Sequence, residues 1–233
     1  MTHHFTTLPS TNDEAVRIAC ECGAPEFDAV MADAQSAGRG RLGRAWSSPP
    51  GTGLYASVIL RPRAAPEKIP VMTLLAGVAA AEAIREVSGL DAKIKWPNDI
   101  LIKGKKVAGL LCEAHITGEN AIVVAGLGVN VDTLPRDLPE RPLYPATSLA
   151  AESGLRHEPV KILETWIRRL KDCMAKDLPD VLVRWSQLDA LAGQRIRAGG
   201  IEGVNSGLDK EGHLLLKPDN GNTITISAGD VLC

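Results

Sequence analysis

Three arginines, Arg39, Arg41 and Arg44, are interleaved with Gly38, Gly40 and Gly43 in a run from Gln35 to Leu60 that contains no acidic residue. Glycine lets a backbone approach a ligand closely and takes positive φ at little cost. Guanidinium groups meet phosphate and carboxylate oxygens as a bidentate fork. A loop so composed suits a polyanion or an adenylate. It equally suits a solvated basic loop, and glycine and arginine alone do not separate the two. Trp46, Ser47, Ser48, Pro49, Gly51 and Gly53 follow, and lead into an apolar segment over 54–60.

Other segments with chemistry in them keep a fixed order around this run. Ser10-Thr11-Asn12 precedes it. Lys95-Trp96-Pro97-Asn98-Asp99 follows it, then Lys105-Lys106-Val107-Ala108-Gly109-Leu110-Leu111-Cys112-Glu113, then Gly126-Leu127-Gly128-Val129-Asn130-Val131. Together they resemble the biotin protein ligases. The arginine run is similar to that family's GRGR-x-GR-x-W-x-S-P motif, and the later segments to its KWPND, K-x-x-G-x-L-x-E and G-x-G-x-N motifs. The likeness runs from about Ser10 to the C-terminus and is densest between Gln35 and Asn130.

The resemblance implies an α+β fold of the biotin/lipoate ligase kind, similar to class II synthetases: a mixed, mainly antiparallel sheet with packed helices, plus a small C-terminal SH3-like β-barrel. Residues 1–190 are then a catalytic domain and residues 191–233 the small β domain. It also implies a reaction. Biotin and ATP give biotinyl-5′-AMP and pyrophosphate, and biotin then passes to one lysine of a biotin carboxyl carrier protein belonging to acetyl-CoA carboxylase or a related carboxylase. Carboxylate attack on the α-phosphorus forces two anions together, so fixed cations and Mg2+ matter more than a covalent nucleophile.

Residue roles carry over in the same way. Lys106, Arg41 and Asp99 are the implied catalytic set, with Lys106 touching both biotin and the α-phosphate. Lys105 is then a hairpin lysine in water, and the spacing to Ala108-Gly109 favours Lys106. Ser10, Thr11, Asn12, Gln35, Gly38, Arg39, Arg41, Lys106 and Gly109 surround biotin, whose ureido ring suits short polar side chains. Arg39, Arg41, Arg44, Trp46, Lys106 and Asn130 surround ATP and the adenylate, while magnesium is held mainly by the phosphates with no protein ligand assigned. Asp99 meets the incoming amine. An ammonium with a pKa of about 10.4 must shed a proton, yet a carboxylate near 4 is a poor base unless both groups are desolvated. Plainer readings stand beside these: Thr11 and Glu14 at capping-box spacing, Asn98 and Asp99 as turn residues, Trp46 and Trp96 as core aromatics.

The chain has 233 residues, 45% of them hydrophobic, and a formal net charge of −2. That allows one sizeable core and a small satellite. Slight acidity, with four Trp, two Tyr and two Phe, disfavours a nucleic-acid module. The five cysteines, Cys20, Cys22, Cys112, Cys173 and Cys233, follow no zinc spacing. No leader and no apolar run of about 20 residues is visible. The expectation is a soluble, reduced, cytoplasmic chain with no DNA or membrane partner and a weak homodimer. With Ser-Thr-Asn beginning at residue 10, it looks like the family's short form without the N-terminal DNA-binding domain. The related rival is a lipoate or octanoate protein ligase or transferase, which lacks the glycine–arginine run followed by Trp-x-Ser-Pro. The rival of another class is a non-catalytic nucleotide-binding module.

The elements that must position these residues are legible in outline. A helix starts near Thr11, with Ala15, Ile18, Ala19 and Cys22 at helical spacing. Strands are expected over 29–34, 54–60, 92–96, 107–116 and 121–131, with a hairpin tip at Lys103-Gly104-Lys105. An Ala-rich helix fills 71–87 with Gly89 just past its end. After a proline-rich loop over 134–145, Ile162, Leu163, Trp166, Ile167, Leu170 and Cys173 share one helical face. From Gln194 short alternating segments over 195–197, 213–217 and 223–227 read as small β-strands.

Overall fold

The computed structural model describes residues 1–62, 69–117, 120–133 and 145–232. Most of the proline-rich loop, and Cys233, lie outside the described residues. Seven strands, β1 (Thr2–Leu8), β2 (Ala29–Gln35), β3 (Gly53–Leu60), β4 (Lys93–Lys95), β5 (Asp99–Ile102), β6 (Lys105–Thr117) and β7 (Asn120–Asn130), form one sheet. Their order is β1-β2-β3-β7-β6-β5-β4. Only β1 and β2 pair in parallel; every other ladder is antiparallel. The fold is the mixed, mainly antiparallel α+β sheet that the resemblance implies.

Side chains alternate across a strand, and β7 shows what each face of this sheet is for. Val123, Ala125, Leu127 and Val129 join the main core with α2 (Ile69–Ser88), α3 (Leu149–Ser153, through Leu149), α4 (Pro159–Met174) and α5 (Leu178–Leu188). Ile122 and Val124 face the other way, into a second small core with Ala15, Ile18 and Ala19 of α1 (Thr11–Glu21). Small residues let α2 lie close on the sheet: Ala76, Val78, Ala79, Ala80, Ala81 and Ala83 are fully buried. Trp166 of α4 is fully buried too, and its indole N–H donates to Ala76 O at 3.2 Å.

Beyond α5 the chain builds a five-stranded antiparallel sheet in the order β11-β10-β9-β8-β12. Its strands are β8 (Arg195–Ala198), β9 (Ile201–Leu208), β10 (Leu214–Lys217), β11 (Ile224–Ile226) and β12 (Val231–Leu232). Ala190 N, between α5 and β8, donates to Ile94 O of β4, and Trp96 Nε1 of the KWPND segment donates at 3.3 Å to Gly212 O, between β9 and β10. Among the described residues no helix is long and apolar enough to cross a membrane.

The start of the chain departs from the sequence reading in two ways. The capping box is absent: Ser10, not Thr11, is the N-cap of α1, its backbone is extended, and its side chain makes no cap bond. Residues 2–8, for which the sequence reading names no element, form β1 through backbone pairing with β2, with His3 beside Asp28 and His4 bonded to Asp33 at 2.6 Å.

Deleting the Trp166 ring removes a large buried surface and the tie between α4 and α2. Trp166→Ala should lower unfolding free energy by about 3–5 kcal/mol, and Trp166→Phe by about 1–3 kcal/mol. Urea titration checks this; equal midpoints for the wild type and Trp166→Ala would show that α4 is not held there.

Candidate active site

The cleft lies where the α1 face of the sheet runs out of side chains. Gly109 of β6 pairs directly with Gly128 of β7, and Gly126 lies two residues back on the same face. A Cβ on Gly128 would stand 2.5 Å from the Trp46 indole, and one on Gly126 would stand 2.3 Å from Asn12 Oδ1. A Cβ on Gly109 would meet Trp46 at 3.0 Å and the Lys106 side chain at 3.3 Å. Three missing side chains therefore make a bare backbone floor.

The start of α1 forms one wall. Thr11 N donates to Gln35 Oε1 at 2.8 Å, and Gln35 Nε2 donates to Ser48 Oγ at 2.9 Å. Asn12 Nδ2 donates to Leu111 O and to Glu113 Oε2, while Ser57 Oγ donates to Asn12 Oδ1 at 2.6 Å. Ser10 is buried against this wall without a cap bond. The positive end of the helix macrodipole thus faces the cleft.

The arginine run is a tight hairpin that arches over the floor. Arg39 bridges to Ala45, Gly40 N donates to Arg44 O at 2.7 Å, and Trp46 N donates to Gly38 O at 2.9 Å. Leu42 and Gly43 take positive φ at its exposed tip. Trp46 lies on the glycine floor, 5.3 Å below the Lys106 ammonium, and its buried indole N–H has no partner among the described residues.

Although the run itself lacks acids, the fold brings acids to it. Arg39 forks onto Asp13 at 2.6 and 2.7 Å and reaches Glu113 at 3.1 Å. That hydrogen bonding holds the Asp13 carboxyl below its ordinary range and raises the Arg39 guanidinium. Arg44 pairs with Asp230, next to β12. Arg41 differs: it meets the neutral acceptors Asn98 Oδ1 at 3.2 Å and Gly229 O at 3.4 Å, with no carboxylate partner among the described residues.

A β-bulge settles the two adjacent lysines. Ile100 pairs with Ala108 but Leu101 with Lys106, so Val107 is the extra residue. The backbone of Lys106 bonds instead to the 145–147 segment, through Pro145 O and Thr147 N. Lys106 is buried and its ammonium lies 2.5 Å from Asp99 Oδ1. Lys105 points outward to Glu152 at 3.0 Å, where burial raises the Glu152 carboxyl but hydrogen bonds from Thr147, Lys105 and Lys103 bring it below the usual range.

The biotin/lipoate A/B protein ligase family model matches residues 23–130. The bifunctional ligase/repressor BirA of Bacillus subtilis (strain 168) is 37% identical over 227 residues, 94% of this chain and 70% of that one. The biotin–acetyl-CoA-carboxylase ligase of Paracoccus denitrificans is 31% identical over 231 residues, 94% of this chain and 95% of its own. A solved structure, the biotin protein ligase from Aquifex aeolicus in complex with biotin and ATP, matches with TM-score 0.83 at 28% identity, covering 99% of this chain and 97% of that one. The chain belongs to the biotin protein ligase family.

Most of the residues expected to act in this ligase meet at one place. Ser10, Thr11, Asn12, Gln35, Arg39, Arg41, Arg44, Trp46, Asp99, Lys106 and Gly109 all line the cleft. Two do not. Gly38 lies within the hairpin stem, where a Cβ would meet Trp46 O at 2.6 Å. Asn130 is buried beyond the cleft and donates to Thr147 O at 2.9 Å. Sequence reasoning gave Asp13, Ser57, Lys95, Asn98, Glu113 and Asp230 no place in the site. Of the floor glycines, Gly126 and Gly128 carried a usable signal, since alternate glycines in a β-branched strand mark a close approach.

The floor can be tested directly. Gly128→Ala must drive the indole off the sheet, so acrylamide quenching should rise, and stability should fall by about 1–3 kcal/mol. In a Trp46→Ala background the same substitution should be nearly neutral. Equal costs in both backgrounds would mean that Trp46 does not rest there.

Proposed function

We propose that this cleft carries out both steps of ATP-dependent biotin protein ligation, on a biotin carboxyl carrier protein as acceptor. The observation that carries the reading is Lys106: a buried ammonium, placed by a bulge beside a floor with no side chains, in the cleft that the N-terminus of α1 also lines. A biotin carboxylate oxygen attacks the α-phosphorus of ATP, the bond to pyrophosphate breaks, and charge grows on the α-phosphoryl oxygens. Preorganised cations in a closed site stabilise that charge far better than water does.

Arg41 is the loop cation readiest to meet phosphate, because leaving Asn98 and Gly229 breaks only neutral contacts. Arg39 and Arg44, each already facing a carboxylate, hold the hairpin to α1 and to the second sheet. Ser10, Thr11 and Gln35 offer hydroxyl and amide groups to the ureido ring. Asn12, whose amide is occupied on both sides, positions the α1 wall. The Trp46 N–H, which has no partner among the described residues, marks the indole as a placeholder that moves, or gains an acceptor, when ligand arrives. Magnesium suits delivery on the ATP phosphates, since Asp13, Asp99, Glu113 and Asp230 each pair with an arginine or lysine. Bound there it supplies further positive charge. In transfer, the acceptor's ammonium first loses a proton to solvent, the neutral amine attacks the acyl carbon, AMP leaves, and the second proton of the new amide nitrogen follows to solvent. Asp99, already bonded to an ammonium, first positions Lys106 and then draws in the acceptor's charged amine.

Incubation with ATP, magnesium and either biotin or lipoate, followed by mass detection of the acyl-adenylate, tests the reading. Biotinyl-adenylate is the expected product; lipoyl-adenylate alone would replace the reading with its rival. Lys106→Ala should slow pyrophosphate release by about 2–4 kcal/mol of barrier, roughly 30- to 1,000-fold. Lys105→Ala should stay near the wild type. The reverse pattern would mean that Lys105 is the functional lysine.

A further inference from the structure

We propose that Lys95 is a positioning residue for the ligase reaction: it takes over the Asp99 carboxylate when Lys106 turns to the substrate anions. The inference rests on the ligase reading of the cleft. Lys95 ends β4 and Asp99 begins β5, and the two are register partners across the tight Trp96-Pro97-Asn98 connection. Lys106 reaches the same carboxylate from β6, on the far side of β5. Three adjacent strands thus present two ammonium groups to one carboxylate: Lys106 at 2.5 Å from Oδ1 and Lys95 at 3.9 Å from Oδ2. Both lysines are buried, and the Asp99 side chain is only 18% exposed.

This arrangement answers a difficulty that the chemistry raises. For Lys106 to bond a carboxylate or phosphoryl oxygen fully, it must surrender its short bond to Asp99. Removing one partner of a buried pair leaves an uncompensated charge, which is strongly unfavourable. With Lys95 already on the other oxygen, the carboxylate keeps a counter-ion throughout, and a shift of about one ångström turns that contact into a charged hydrogen bond. Two cations on one anion also leave the trio with a net positive charge, which favours an anionic substrate. Without Lys95, the departure of Lys106 takes from Asp99 the second ammonium that these strands hold against it.

Single-turnover adenylate formation with ATP, magnesium and biotin decides the matter. A wild type that makes no adenylate would remove the ligase reading itself. In an active wild type, Lys95→Met should slow the step about 10- to 100-fold. Lys95→Arg, which keeps the charge, should recover at least half of that loss on a logarithmic scale. The Lys95→Met/Asp99→Asn double variant should be no slower than Asp99→Asn alone, because a neutral amide needs no counter-ion. A Lys95→Met rate within about twofold of the wild type, or a double variant slowed by the product of the two single effects, overturns the proposal. Should Lys95→Met fail to fold, the comparison of the double variant with Asp99→Asn carries the same decision.

Discussion

A β-sheet has two faces, and strand periodicity assigns each residue to one of them. That constraint governs this molecule. Along β7, Val123, Ala125, Leu127 and Val129 are committed to the core, so the intervening positions must serve the opposite face. Near α1 those positions are Ile122 and Val124, which pack. Farther along they are Gly126 and Gly128, which do not. Ligand space arises because one strand changes from branched side chains to none while its other face stays buried. Any side chain restored on that row competes with Trp46 or Asn12.

On this floor most of the cations face carboxylates instead of forming a bare basic patch. Arg39 is matched by Asp13 and Glu113, Arg44 by Asp230, and Lys95 with Lys106 by Asp99. A cleft of uncompensated cations would pay for its affinity in self-repulsion before any ligand arrived. Facing carboxylates lowers that cost for Arg39, Arg44 and Lys106, while Arg41, held by neutral acceptors, stays the easiest to redirect. Selectivity then depends on geometry as well as on net charge.

The fold and much of the cleft were legible in the sequence, for physical reasons that differ by residue. The strands over 29–34, 54–60 and 121–131 are flanked by turn residues and rich in branched side chains, so periodicity alone exposes them. β1 was invisible because THHFTTL has little hydrophobic signal; backbone pairing with β2 forms it. α5 escaped because a proline lies in its first turn and its buried face is carried by Val181, Trp185 and Leu188 alone. The partners of the arginines could not be read at all. Asp13, Glu113 and Asp230 lie 26, 74 and 186 residues away from them, and local composition says nothing about contacts at such range. Lys106 was distinguishable from Lys105 by motif spacing, but the bulge that turns it inward is a property of strand register.

The hairpin's grip on the C-terminal sheet makes two remote parts of the chain share one equilibrium. Arg44 holds Asp230 and Arg41 holds Gly229 O, both just before β12. Whatever frees the hairpin from these anchors also frees the last turn before β12, and by the same free energy. Tension runs both ways along such a strap. A ligand that displaced the hairpin would be felt nearly two hundred residues later in the sequence, and a change beside β12 would reset how firmly the hairpin is held.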